Sequence, residues 1–95
     1  MDVFNIFIGK KVLVRTYSAG VHFGILEKRD GKELLLKKAH RIWRWRGALT
    51  LSEIAAKGLD IENSQISCEV DAIGLTETIE IIPINSNSNI YAFKN

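Results

Sequence analysis

Ninety-five residues and 10.7 kDa leave room for a single domain, residues 1–95, because one core usually organises about 100 to 150 residues. A composition of 46% hydrophobic and 25% charged residues with one Pro excludes disordered and collagen-like chains. Thirteen Lys and Arg against 11 Asp and Glu give a net charge of +2, too little for a surface devoted wholly to nucleic acid, so any basic site must be local.

In chain order, Met1 to Ile8 is too short and too acidic for a signal peptide, and no apolar run approaches the roughly 20 residues of a membrane span. Lys11 to Tyr17 (KVLVRTY) is rich in β-branched residues and predicts a strand. Ser18-Ala19-Gly20 predicts a turn and Val21 to Lys28 a second strand, with Val21, Phe23 and Ile25 on one face and His22, Gly24 and Leu26 on the other. Asp30-Gly31 predicts a hairpin with a type I′ turn, which needs positive φ at both central positions. Glu33 to Lys38 then returns antiparallel. His40 to Arg46 continues it or forms a further strand, with a helix as the alternative.

The one helix signal is LSEIAAKG, starting at Leu51 or Ser52 and running to Lys57. Thr50 or Ser52 caps it, Glu53 complements its positive end, Lys57 its negative end, and Gly58 supplies the C′ residue. Two turns are too few to stand alone, so Leu51, Ile54 and Ala55 must pack on the sheet. Ile66, Cys68, Val70 and Ala72 alternate with Ser67, Glu69 and Asp71, which predicts a half-buried strand with an inert thiol on its inner face. A single Cys also excludes an intramolecular disulfide, so a reducing, cytoplasmic setting is expected. Leu75 to Ile82 predicts a final strand ended by Pro83. The polar run Asn85 to Asn89 is turn-prone, and Ile90, Tyr91 and Phe93 beyond it are placed to dock back.

Charge is uneven along the chain. Through Lys57, 12 basic residues stand against five acidic ones; from Gly58 onward, Lys94 stands against six acids. Such halves pair internally or head to tail between subunits, and the second arrangement predicts a homo-oligomer.

Candidate binding residues fall in two segments. KKAHRIWRWR, Lys37 to Arg46, holds five cations, one His and two Trp. As a strand it places Arg41, Trp43 and Trp45 on one face and Ile42, Arg44 and Arg46 on the other. Trp stacks on planar bases and Arg grips phosphate oxygens, so nucleotides suit such a stripe; the alternative buries the Trp pair in the core and leaves the arginines solvated or paired with the acidic second half. In the second segment, Arg15, Tyr17, Ser18 and the turn before His22 offer a cradle for phosphate or carboxylate, the alternative being an ordinary hairpin turn. No P-loop, dinucleotide or metal-ligand spacing is present, and the acids Glu69, Asp71, Glu77 and Glu80 read as solvent faces of strands.

Three phrases resemble a family of small phage and prophage proteins of unassigned function: VRTYSAGVHFG (Val14 to Gly24), RIWRWRGALTLSEIA (Arg41 to Ala55) and LTETIEIIP (Leu75 to Pro83). His40 stands where that family carries Arg, and Arg44 where an aromatic is common. The resemblance implies a phage origin, brings no catalytic residues, and favours a counter-defence protein acting in the infected bacterial cytoplasm. The expected fold is α+β, a small, strongly twisted antiparallel sheet or open barrel with one short helix. The expected function is non-enzymatic sequestration of a nucleotide-derived immune signal, a cyclic oligonucleotide or cyclic ADP-ribose type, as anti-CBASS and anti-Thoeris sponges do. Its ligand residues are Arg15, Tyr17, Ser18, His22, Arg41, Trp43, Arg44, Trp45 and Arg46, with no cofactor or metal. A protein-binding, anti-CRISPR-like inhibitor is the second expectation. A nucleic-acid-binding regulator is third, disfavoured by the low net charge and the lack of a recognition helix.

Overall fold

The structure, a computed structural model, describes residues 3–94. After a 3-10 helix (Val3–Phe7) come β1 (Lys11–Thr16), β2 (Val21–Asp30), β3 (Glu33–Arg44), α1 (Leu51–Ala56), β4 (Gln65–Ile66), β5 (Val70–Leu75) and β6 (Thr78–Pro83). Among the described residues these six strands form one antiparallel sheet that is not closed, an α+β arrangement with one short helix. The path runs β6-β1-β2-β3, and β3 carries two partners on its far side: β5 along Leu34 to Ala39, β4 at Ile42 and Arg44.

The central strands are buried on both faces, whereas β5 and β6 are largely exposed. Leu13, Val21, Phe23 and Ile42 point to the side covered by α1 (Ile54, Ala55) and by Leu59, Ile84 and Ile90. Val12, Val14, Leu26, Leu34, Leu36 and Ala39 fill the opposite side with Leu75. The first two strands therefore carry consecutive buried residues rather than a clean alternation, as a sheet with cover on both faces requires.

The first hairpin and the helix lie where the sequence predicts them. Thr50 caps α1, its Oγ1 accepting from Glu53 N–H at 3.1 Å, while Glu53 Oε1 accepts from Leu49 N–H at 3.1 Å. The tail docks through Ile90 and Phe93 while Tyr91 stays exposed: Ile90 is fully buried, Ser88 Oγ donates to the Ile54 carbonyl at 2.8 Å, and Asn89 Oδ1 accepts from Leu59 N–H at 3.0 Å. Lys11 Nζ reaches the Tyr91 carbonyl across the same seam, and its pKa is lowered mainly by burial.

Three expectations need correction, and one alternative is settled. The β2–β3 turn has Gly31-Lys32 at its centre, because Asp30 pairs with Glu33; only Gly31 has positive φ (60°), the pattern of a type II′ turn. His40 onward continues β3 as expected, which settles the helical alternative, and the strand ends at Arg44. The predicted strand through Cys68 is broken after Ile66, and Cys68, Val70 and Ala72 are exposed. Its cause lies in Ser67, whose N–H donates to the Arg41 carbonyl (2.9 Å) and whose hydroxyl accepts from Arg41 N–H (2.8 Å), so a side chain replaces a ladder bond. Leu75 to Ile82 is two strands. Leu75 ends β5 beside Leu34, whereas Thr78 begins β6 beside Thr16.

That last division shapes the molecule, since β5 and β6 lie at opposite edges yet only Thr76 and Glu77 join them. The link is held at both ends: Thr78 N–H donates to the Lys32 carbonyl (3.0 Å) and Tyr17 N–H to the Glu77 carbonyl (2.9 Å). No helix among the described residues is long and apolar enough to cross a membrane.

Candidate functional site

The nine predicted site residues do not form one cluster. Register places Arg15, Val21 and Ile42 in one cross-strand row on the helix side, and Val14, His22 and Arg41 in the next row on the other side. Arg15 lies 3.4 Å from Glu80 in an exposed ion pair. Ser18 Oγ donates to Glu77 Oε1 at 2.6 Å, and Ala19 N–H is taken by Thr16 Oγ1 at 2.9 Å. The predicted anion cradle thus has a carboxylate beside it and one of its donors already engaged, which opposes phosphate there. Tyr17, 78% exposed, keeps its ring free.

His22 is wholly buried and offers no surface to a ligand. Arg41 Nε donates to His22 Nε2 at 3.1 Å, so the neutral ring carries its proton on Nδ1, which has no partner. Burial, reinforced by the Arg41 charge, pushes the His22 pKa down to about 4. His40 is buried too, stacked on Phe23 with centroids 4.8 Å apart, and its Nδ1 donates to the Ser67 carbonyl at 3.0 Å.

The two tryptophans part company. Trp45 follows the end of β3, packs against the helix-side core and donates Nε1–H to the Ala48 carbonyl at 3.3 Å. Trp43 is 66% exposed, and the ladder between β3 and β4 shifts register around it. The predicted shared face of Trp43 and Trp45 is therefore corrected: one ring is structural and the other free.

Arg44 and Arg46 do come together, on one wall of an open cleft of about 570 Å³. The loop after α1 forms the other wall with Asp60, Glu62, Asn63, Ser64 and Gln65. Cross-ties fix the two walls: Asp60 N–H donates to the Arg46 carbonyl (2.8 Å), Arg46 N–H to Ser64 Oγ (3.0 Å), and Arg44 pairs with Gln65 in the ladder. Gly47, at φ 85°, lets the chain turn out of the cleft; a Cβ there would stand 2.8 Å from Asp60 N. Among the described residues no carboxylate lies within ion-pairing distance of Arg44 or Arg46. Across from them, Asn63 holds the Asp60 carboxylate by its side chain (Nδ2 to Oδ2, 2.8 Å) and backbone, which lowers the Asp60 pKa and keeps it ionised.

This acidic and polar wall is absent from the sequence-based site. A signal for it exists in the polar run Asp60 to Gln65, where Asp60 and Asn63 have the spacing of a turn closed by a side chain. Linking that turn to Arg44 and Arg46 requires the β3–β4 pairing, which two residues of strand do not announce. No curated protein matches the chain. Residues 9–90, most of its length, match the domain of unknown function DUF6948, and the protein belongs to that family.

Proposed function

We propose that the protein binds a nucleotide-derived signal in the Arg44–Arg46 cleft and sequesters it unchanged, as a phage counter-defence protein in the infected bacterial cytoplasm. The observation that carries this reading is the pair of guanidinium groups on one wall of a cleft of about 570 Å³, with no carboxylate paired to either among the described residues. A cleft of that size falls within the range of small-ligand sites, and two Arg forks match phosphate oxygens. Trp43, next in the chain to Arg44 and largely exposed, is not among the residues that line the cleft, so the two arginines carry this reading. The proposal assigns no enzyme activity, cofactor or metal.

Two further parts belong to the same proposal. The sheet is strongly twisted into an open barrel, because three virtual Cα–Cα bonds from Leu75 to Thr78 span at most about 11 Å and must bring opposite edges together. The protein is a homo-oligomer, because among the described residues Arg15–Glu80 ties the basic half to the acidic half, and the exposed charges of the two halves beyond that pair offer complementary patches to a second subunit.

The test is calorimetric titration with cyclic dinucleotides and cyclic ADP-ribose. Arg44→Ala and Arg46→Ala should each weaken capture by about 1.5 to 3 kcal/mol, the worth of a charge-assisted hydrogen bond, with little change in melting temperature. Unchanged binding by both variants removes the cleft from the account.

A second reading, a protein-binding inhibitor, is favoured by one observation. Tyr17 and Ile79, both large and exposed, line a mostly apolar groove with Lys32, Glu77 and Thr78 at the β5–β6 link. Tyr17→Ala tests it, since loss of inhibition with intact nucleotide capture would assign the activity to that groove.

A further inference from the structure

The cleft is not simply basic. Arg44 and Arg46 face two acids, Asp60 and Glu62, and a uniformly anionic ligand would satisfy the first pair while being repelled by the second. The acids are also unequal. Asp60 already accepts from Asn63 at both oxygens, at 3.3 Å and 2.8 Å, whereas Glu62 accepts no side-chain or backbone bond among the described residues. A ligand that fits both walls is anionic at one end and rich in hydroxyl donors at the other.

We infer that the cleft takes a nucleoside diphosphate with a free ribose cis-diol, its pyrophosphate on Arg44 and Arg46 and its diol donating to Glu62 and to the remaining lone pairs of Asp60. This inference rests on the reading of the cleft as a phosphate site and narrows it. Two adjacent guanidinium groups match the paired phosphates of a pyrophosphate, and vicinal hydroxyls present two donors to carboxylates held two residues apart. A 3′–5′ cyclic oligonucleotide has every 3′ oxygen esterified, so it offers no cis-diol and brings a phosphate wherever the chain continues. Of the two signal classes that suit the arginines, the acidic wall selects the ADP-ribose type.

The walls cannot separate to admit a different ligand without breaking their ties. Asp60 N–H is bonded to the Arg46 carbonyl, and the backbone at Gly47 presses on Asp60 so closely that no Cβ fits. The backbones that carry Arg46 and Asp60 are therefore held at a fixed spacing, which lets the cleft read phosphate and diol together.

The experiment titrates the full chain with ADP, 2′,3′-dideoxy-ADP and inorganic pyrophosphate, and repeats the series with Glu62→Gln, an exposed residue whose change leaves the fold intact. ADP should bind at least about tenfold more tightly than dideoxy-ADP, as expected for lost hydrogen bonds to a charged acceptor. In Glu62→Gln the gap between the two should shrink while pyrophosphate binds as well as or better than before. Equal binding of ADP and dideoxy-ADP, both weakened by Arg44→Ala, overturns the diol inference and leaves the phosphate site standing. No binding of any of the three, with cyclic dinucleotides also inert, overturns both.

Discussion

At the residue scale, His22 shows how a polar side chain in a binding-like phrase becomes structural. It lies in the same row as Val14 and Arg41, wholly buried, with Arg41 acting as its donor from the exposed side. Its folded pKa, about 4, lies below the ordinary 6.5, so the unfolded chain takes up the proton first as pH falls. The stability tied to the neutral ring is complete above about pH 6.5 and is lost towards pH 4, a total of about 3 kcal/mol. Urea unfolding at intervals across that window should show His22→Gln with a shallower pH dependence than the parent chain; parallel curves would mean that His22 does not titrate on unfolding. The tryptophans separate in the same way. Trp45→Ala should cost on the order of 3 kcal/mol of stability, the low end for a buried aromatic because the ring is partly covered, whereas Trp43→Ala should leave both the melting temperature and nucleotide capture near those of the parent, because its ring is exposed and does not line the cleft. Sequence placed Arg and Trp in the right stretch but not their roles, because a strand period of two assigns faces only while the strand lasts, and β3 ends at Arg44.

At the element scale, β3 is bent by a bulge that sequence does not advertise. Between the Phe23–His40 and Ile25–Lys37 pairs, β3 gains one residue, and Lys38 adopts a φ of 50°. Gly24 sits opposite: a Cβ there would lie 2.8 Å from the Lys37 carbonyl and 3.1 Å from Ala39 Cα, backbone atoms that cannot swing aside. Gly24→Ala should therefore destabilise by about 1 to 3 kcal/mol, the range for overpacking, while Lys38→Gly, relieving the left-handed residue, should be neutral or stabilising. Thermal melts of both variants check this; a neutral Gly24→Ala would place the bulge elsewhere. The helix was legible because its signals are local: Thr50, Glu53 and Gly58 act within a few residues of one another. The break at Ser67 and the division at Thr76-Glu77 were not, since each depends on a strand far away in sequence. An exposed Cys68 follows from the first of these.

For the whole molecule, the chain returns to its beginning through the polar tail. Asn85 N–H donates to the Ala55 carbonyl at 2.8 Å, and Ile84 N–H to the Lys11 carbonyl at 3.0 Å, so the turn-forming run Asn85 to Asn89 brings Ile84 and Ile90 at its two ends onto the helix-side core. The uneven charge predicts self-association: light scattering at tens of micromolar should give a mass above that of one 10.7 kDa chain, falling as salt screens the contacts. A monomer at every ionic strength would leave the halves to pair within one subunit. The central claim, capture without chemistry in the cleft of Arg44 and Arg46, is tested most directly by recovering what was captured. The protein is incubated with cyclic ADP-ribose and with cyclic dinucleotides, separated from free ligand, denatured, and the released molecule identified by mass. Sequestration predicts an intact ligand, stoichiometric with the protein and missing from Arg44→Ala and Arg46→Ala. A cleaved product accumulating beyond the protein concentration, or equal capture by the arginine variants, would contradict it.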